Sequence, residues 1–116
     1  MPHEAEPVVI YHNPGCGTSR AVLEAIRARG IEPQVVRYLQ AGWTRARLLM
    51  LLDALALKPR DLLRGKHGHA AELAEKEDEA ILSSMIADPS LVERPIVTTA
   101  KGAALCRPAS RLASIL

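Results

Sequence analysis

Val8-Val9-Ile10-Tyr11-His12-Asn13-Pro14-Gly15-Cys16-Gly17-Thr18-Ser19-Arg20 is the stretch on which the reading of this chain turns. Its first residues are apolar and mostly β-branched, which predicts a short buried strand over residues 8–11. Asn13-Pro14-Gly15 then breaks any regular structure. From residue 18 the spacing changes: Val22, Ala25 and Ile26 fall on one face of a helix predicted over residues 18–29, with Gly30 as its stop. The loop therefore delivers the thiol of Cys16 to the start of a helix. Unpaired N–H groups at such a terminus favour negative charge, so a cysteine there can exist as the reactive thiolate. The same N–H groups can hold a small oxyanion against the sulfur.

Working outward, residues 33–39 read as a second strand. Strand, helix and strand at this spacing make a βαβ unit, which implies parallel pairing and a right-handed crossover. Thr44 can cap a helix over residues 45–57, where Leu48, Leu49, Leu51, Leu52 and Leu55 form a broad apolar stripe. Lys58-Pro59 breaks it, and a helical turn over residues 59–63 follows, ending at Arg64. Residues 65–69 read as a loop and residues 70–77 as helix-prone. Asp78 can cap a helix that runs through Ile81, Leu82, Met85 and Ile86 and closes before Pro89. Residues 95–99 and 103–106 read as strands of an antiparallel hairpin turning at Ala100-Lys101-Gly102. Pro108 opens a last helix over residues 109–116. The expected class is α/β: a mixed four-stranded sheet flanked by helices, with a helical insertion between a βαβ half and a ββα half. That is the thioredoxin-like arrangement, in one domain spanning residues 1–116.

Composition narrows the function classes. The chain has 116 residues, 48% of them hydrophobic, which suits a folded domain and not a disordered one. It has no Phe, one Trp and two Tyr, so its core must be aliphatic. A net charge of +2 lacks the dense basic stripe that nucleic acid binding requires. Two cysteines, Cys16 and Cys106, are too few for a disulfide scaffold. Residues 1–6 show no signal peptide, and no apolar run reaches the length of a membrane span. The expected compartment is a reducing cytoplasm.

Several side chains are candidates for chemistry. Cys16 is either a reactive thiol or a buried small hydrophobe, and its polar, turn-forming surround favours the first. His12, at the strand end, is either an imidazolium that favours the thiolate or a histidine satisfied by solvent. Ser19 makes the motif Cys-x-x-Ser, so no second sulfur stands at the place of a dithiol pair. Its hydroxyl either bonds the thiolate or satisfies a first-turn backbone group. A phosphatase-type cradle would need an arginine at position 22, where the chain has Val22. Positive charge for an oxyanion must come from elsewhere, and Arg64, Arg94 and Arg107 are the candidates. Each is either part of an anion clamp or an ordinary surface ion pair, with Asp61 and Glu93 available as partners. His67 and His69, without clustered acids or cysteines, read as a mobile surface loop and not as a metal site. Cys106 follows Ala103-Ala104-Leu105 and reads as buried packing.

Residues 10–20 resemble the active-site segment of the glutaredoxin- and glutathione-dependent arsenate reductases of the ArsC-like, thioredoxin-fold group. Leu62-Leu63-Arg64, Arg94-Pro95-Ile96-Val97 and Leu105-Cys106-Arg107-Pro108 are similar to that family's later motifs, in the same order. The resemblance implies that Cys16 is the nucleophile and His12 the neighbour that lowers its pKa. It implies that Arg64, Arg94 and Arg107 clamp arsenate, that Pro95 is the cis proline facing the active cysteine, and that Ser19 is the active-site serine. The implied activity is reduction of arsenate to arsenite, with glutathione as reductant, glutaredoxin as partner and no bound cofactor or metal. The protein is then expected to be a monomer. Relative to the family pattern, the segment between Arg64 and Arg94 is shortened, and a C-terminal extension carried by some members is missing after Leu116. The alternatives are a regulator or binding protein of the same fold, or a general glutathione-linked thiol transferase without arsenate activity.

Overall fold

A computed structural model describes residues 7–116; residues 1–6, where a signal peptide would begin, lie outside the described residues. The elements are β1 (Val9–Tyr11), α1 (Gly17–Ala28), β2 (Gln34–Val36), α2 (Tyr38–Ala41), α3 (Arg45–Leu55), α4 (Ala70–Leu73), α5 (Asp78–Ala87), β3 (Ile96–Thr99) and β4 (Gly102–Leu105). Short 3₁₀ segments occupy Pro59–Leu62, Pro89–Leu91 and Ala109–Ser114. The chain divides into two units, residues 1–37 with 94–116, and residues 38–93.

The first unit holds the sheet, in the order β2-β1-β3-β4. β1 pairs parallel with β2, Tyr11 opposite Val36, and antiparallel with β3, Tyr11 opposite Ile96. β3 and β4 form the antiparallel hairpin, with Thr99 paired to Gly102. This is the mixed four-stranded sheet that the element order implies. Ile10, Val22, Ile26, Val97, Cys106, Leu112 and Ile115 form its core. Val22 and Ile26 come from the apolar face of α1, and each fully buried aliphatic side chain contributes about 1.5–3 kcal/mol. α1 ends because Gly30 takes the left-handed conformation, at φ 78°, and donates its N–H to the Arg27 carbonyl.

The second unit is helical. Thr44 caps α3 through its hydroxyl, which accepts the Arg47 N–H. Leu48, Leu51 and Leu52 are buried, whereas Leu49 is 40% exposed, so the apolar stripe is narrower than its leucines imply. α3 ends at Leu55, two residues earlier than expected, because Ala56 takes the left-handed conformation. Tyr38 stacks on Trp43, and the Trp43 indole donates to the Pro89 carbonyl. Ile81, Leu82 and Met85 of α5 are buried together with Leu91 and Val92.

Boundaries elsewhere depart from the sequence reading for local reasons. β2 ends at Val36, because Tyr38 turns into α2 and is buried there. Of residues 70–77 only four are helical, since Ala-, Glu- and Lys-rich sequence without an apolar stripe has little packing to extend it. Glu77, not Asp78, occupies the N-cap of α5. The last segment is a 3₁₀ helix, tied to the sheet by the Thr99 hydroxyl donating to the Ile115 carbonyl at 2.7 Å. Among the described residues, no helix is long and apolar enough to cross a membrane.

Candidate active site

Cys16 is the N-cap of α1, at φ −99° and ψ 122°. The loop before it is wound on itself. Asn13 accepts the Cys16 N–H on its carbonyl at 3.0 Å and the Gly15 N–H on its side-chain oxygen at 2.9 Å. The Arg20 guanidinium donates to the Pro14 carbonyl at 2.7 Å, a tie that the sequence reading missed. Asn13 and Pro14 as turn-formers carried the only signal for it.

The sulfur is sheltered without being sealed, at 8% exposure for the residue. Burial pushes the thiol pKa up. The Ser19 N–H, the Arg94 guanidinium and the Arg107 guanidinium push it down, and together they win, so Cys16 sits below the ordinary thiol value. Arg107 Nη1 lies 3.8 Å from Cys16 Sγ and 3.4 Å from the Arg94 carbonyl. The second cysteine makes the contrast. Cys106 is fully buried in the aliphatic core, and burial raises its pKa to about 11 despite the opposing charge of Arg111.

His12 and Ser19 form a buried pair, Nδ1 to Oγ 2.6 Å. The Ser19 hydroxyl oxygen also accepts the Asn13 N–H at 3.1 Å. With the Asn13 N–H on its oxygen, this fully buried serine is free to donate its hydroxyl proton to His12 Nδ1, the arrangement of a ring protonated on Nε2. Burial lowers the His12 pKa, and the charges of Arg37, Arg27 and Arg20 lower it further. Of the two readings open at the sequence level, burial and these charges disfavour the imidazolium, and the ring's hydrogen-bond partner is Ser19.

Arg94 and Arg107 are thus brought to the thiol from the open end of the β3–β4 hairpin, where Ile96 pairs with Leu105, and both are half-buried. The Arg94–Pro95 peptide bond is cis, and so is Arg107–Pro108. Arg64 belongs to the helical unit, where it follows Leu63, bridged to Val92, and donates its N–H to the Leu91 carbonyl at 2.7 Å. His67 is not on a free loop: its Nδ1 accepts the His69 N–H, so Nε2 carries the proton and donates to Asp88 at 3.0 Å. Among the described residues no group of three or more His, Cys, Asp or Glu is placed to hold a metal ion.

A lone, low-pKa cysteine at a helix N-cap, with two guanidiniums from a hairpin, is a specific arrangement, and the chain matches the profile of the ArsC family over residues 11–115. The chain belongs to the ArsC family. It is 50% identical over 113 residues to arsenate reductase ArsI2 of Synechocystis, covering 94% of this chain and 81% of that protein. It is 42% identical to an arsenate reductase of Escherichia coli, covering 94% and 80%. Among solved structures, an arsenate reductase from Vibrio cholerae superposes with a TM-score of 0.89 at 36% identity, covering 97% of this chain and all of that one. A putative arsenate reductase from Yersinia pestis superposes at 0.86 and 36% identity, covering 93% and 99%. The fold of this ArsC-family chain is thioredoxin-like, a mixed four-stranded sheet with flanking helices, as its element order implied.

Proposed function

We propose that this protein is an oxidoreductase that reduces arsenate to arsenite through Cys16. The observation that carries the reading is a thiol held below its ordinary pKa by Arg94 and Arg107, in a chain 41–50% identical to named arsenate reductases. The Cys16 thiolate attacks arsenic(V); a Cys16–S–As bond forms and an arsenate oxygen leaves as water. Arg94, Arg107 and Arg64 stabilise charge on the remaining oxygens, the role guanidinium forks suit. His12 and Ser19 hold the loop that presents the sulfur, and Pro95 faces it.

The reductant in this reading is glutathione. Its thiol takes the Cys16 sulfur, forming a mixed disulfide, while arsenic keeps the electron pair and departs as arsenite. The two sulfurs are oxidised by two electrons in total and arsenic(V) becomes arsenic(III). Glutaredoxin then removes the glutathione from Cys16 by thiol–disulfide exchange. The protein acts as a monomeric single domain, 1–116, in the cytoplasm, with no bound cofactor and no nucleic acid or membrane partner.

The test is arsenite formation in the presence of glutathione and glutaredoxin. The wild-type chain is expected to turn over, Cys16→Ser to be inactive, and Arg94→Ala or Arg107→Ala to lose at least tenfold, in line with removal of an oxyanion-stabilising donor. Turnover by Cys16→Ser would overturn the reading. Thiol transfer without any arsenite would replace it with that of a general thiol transferase.

A further inference from the structure

The thiol loop carries positive charge on a second side, one that the arsenate reading does not use. In the sheet order β2-β1-β3-β4, Arg94 and Arg107 come from the β3–β4 side of β1, and Arg37, directly after β2, from the other. Arg20 stands in the first turn of α1, the helix that Cys16 caps. The Arg20 guanidinium is anchored over the loop by its 2.7 Å bond to the Pro14 carbonyl, and its Nη2 lies 3.8 Å from where a side chain on Gly17 would begin. Arg37 follows Val36, whose carbonyl accepts the His12 N–H at 2.8 Å, so it enters beside the same loop.

Both side chains are exposed, and neither forms an ion pair among the described residues. Their neighbour Arg27 differs, because Glu32 neutralises it at 3.0 Å. Between residues 7 and 29 the one acidic residue is Glu24. The charges of Arg37, Arg27 and Arg20 oppose protonation of His12, after burial. Two guanidiniums without an acidic partner, attached to the loop that presents the thiol, are suited to carboxylates.

We propose that Arg20 and Arg37 form an anchoring site for the carboxylates of a small anionic thiol, or its disulfide, that exchanges with Cys16. This rests on the reading of Cys16 as a thiolate that meets a thiol co-substrate, and it names the chemistry by which that co-substrate is recognised. Glutathione, with two carboxylates, has the required charge; a neutral thiol of similar reactivity lacks it. The arsenate oxygens are left to Arg94, Arg107 and Arg64, so each reactant has its own cations.

Disulfide exchange tests the site without arsenate. The Cys16 thiolate attacks one sulfur of a disulfide, a Cys16–S–S bond forms, the original S–S bond breaks, and the other half leaves as thiolate. The rates of modification by glutathione disulfide and by neutral hydroxyethyl disulfide are measured by mass spectrometry. The wild-type chain is expected to favour the anionic disulfide. The ratio is expected to fall about tenfold in Arg20→Ala/Arg37→Ala, at the low end of electrostatic enhancement of encounter, and to recover in part with lysine at both positions. Taking a ratio removes any general effect of losing the Arg20–Pro14 tie. An unchanged ratio in the double variant, with Cys16 still reactive, overturns this inference and leaves the proposed function standing. If Cys16 reacts with neither disulfide, the thiolate reading fails and this site fails with it.

Discussion

Ser19 Oγ lies 2.6 Å from His12 Nδ1, with both residues buried under the first turn of α1. The same serine accepts the Asn13 N–H through its hydroxyl oxygen, and its own N–H favours the thiolate of Cys16. One residue thereby bonds the histidine ring, holds the path of the loop and contributes to the charge balance at the sulfur.

Ser19→Ala should therefore do more than loosen the fold. It leaves the Asn13 N–H and His12 Nδ1 without their hydrogen-bond partner, at a cost of about 1–3 kcal/mol, readable as a lower urea midpoint. It also removes the bond that places the His12 proton on Nε2. Nitrogen-15 shifts of the His12 ring should report a single tautomer in the wild-type chain and a mixture in the variant, while Ser19→Thr keeps the wild-type pattern. A single Nε2–H tautomer surviving in Ser19→Ala would show that the serine does not select it.

The reactivity of Cys16 should depend on pH in a defined direction. Its pKa is lowered, so alkylation by iodoacetamide should reach half its maximum below the value of about 8.5 for a free thiol. Cys106, at about 11, does not interfere near neutrality. Arg107→Ala removes one source of the lowering and should move the midpoint up. The linked effect on stability has a fixed sign. A depressed thiol pKa stabilises the folded chain above the unfolded value, and that contribution is lost as pH falls through the folded value. Comparing urea midpoints of wild type and Cys16→Ser across this range checks it: their difference should shrink towards acid.

Core and surface leucine-type positions should separate cleanly. Ile26 is fully buried against the sheet, so Ile26→Ala should cost about 2–5 kcal/mol. Leu49 sits in a leucine-rich helix but is 40% exposed, and Leu49→Ala should stay within about 0.5–1 kcal/mol. Thermal or urea unfolding of the two variants distinguishes them; equal losses would place Leu49 in the core.

The stretch from Val8 to Arg20 was legible because every cue in it is local. β-branched residues, a Pro/Gly break and a helical repeat act over a few neighbours, and the structure has β1, the loop and α1 in those places. The Thr44 cap and the β3–β4 hairpin were legible for the same reason. The ends of β2 and α4 were not, because burial of Tyr38 and the shortage of packing after Leu73 decide them. His67 read as part of a mobile loop because its partner, Asp88, is 21 residues away.

By itself, then, the order of residues determined the element succession, the placement of one thiol at a helix start and the family to which the chain belongs. Only the tertiary structure decided the state of that thiol and of His12. Arg107 reaches Cys16 from 91 residues away, and burial, together with charges from α1 and from the end of β2, disfavours protonation of His12. Secondary structure follows from short-range sterics and hydrogen bonds, which a linear pattern records. Protonation follows from burial and from charges converging in space, which exist only after the sheet has brought distant segments together.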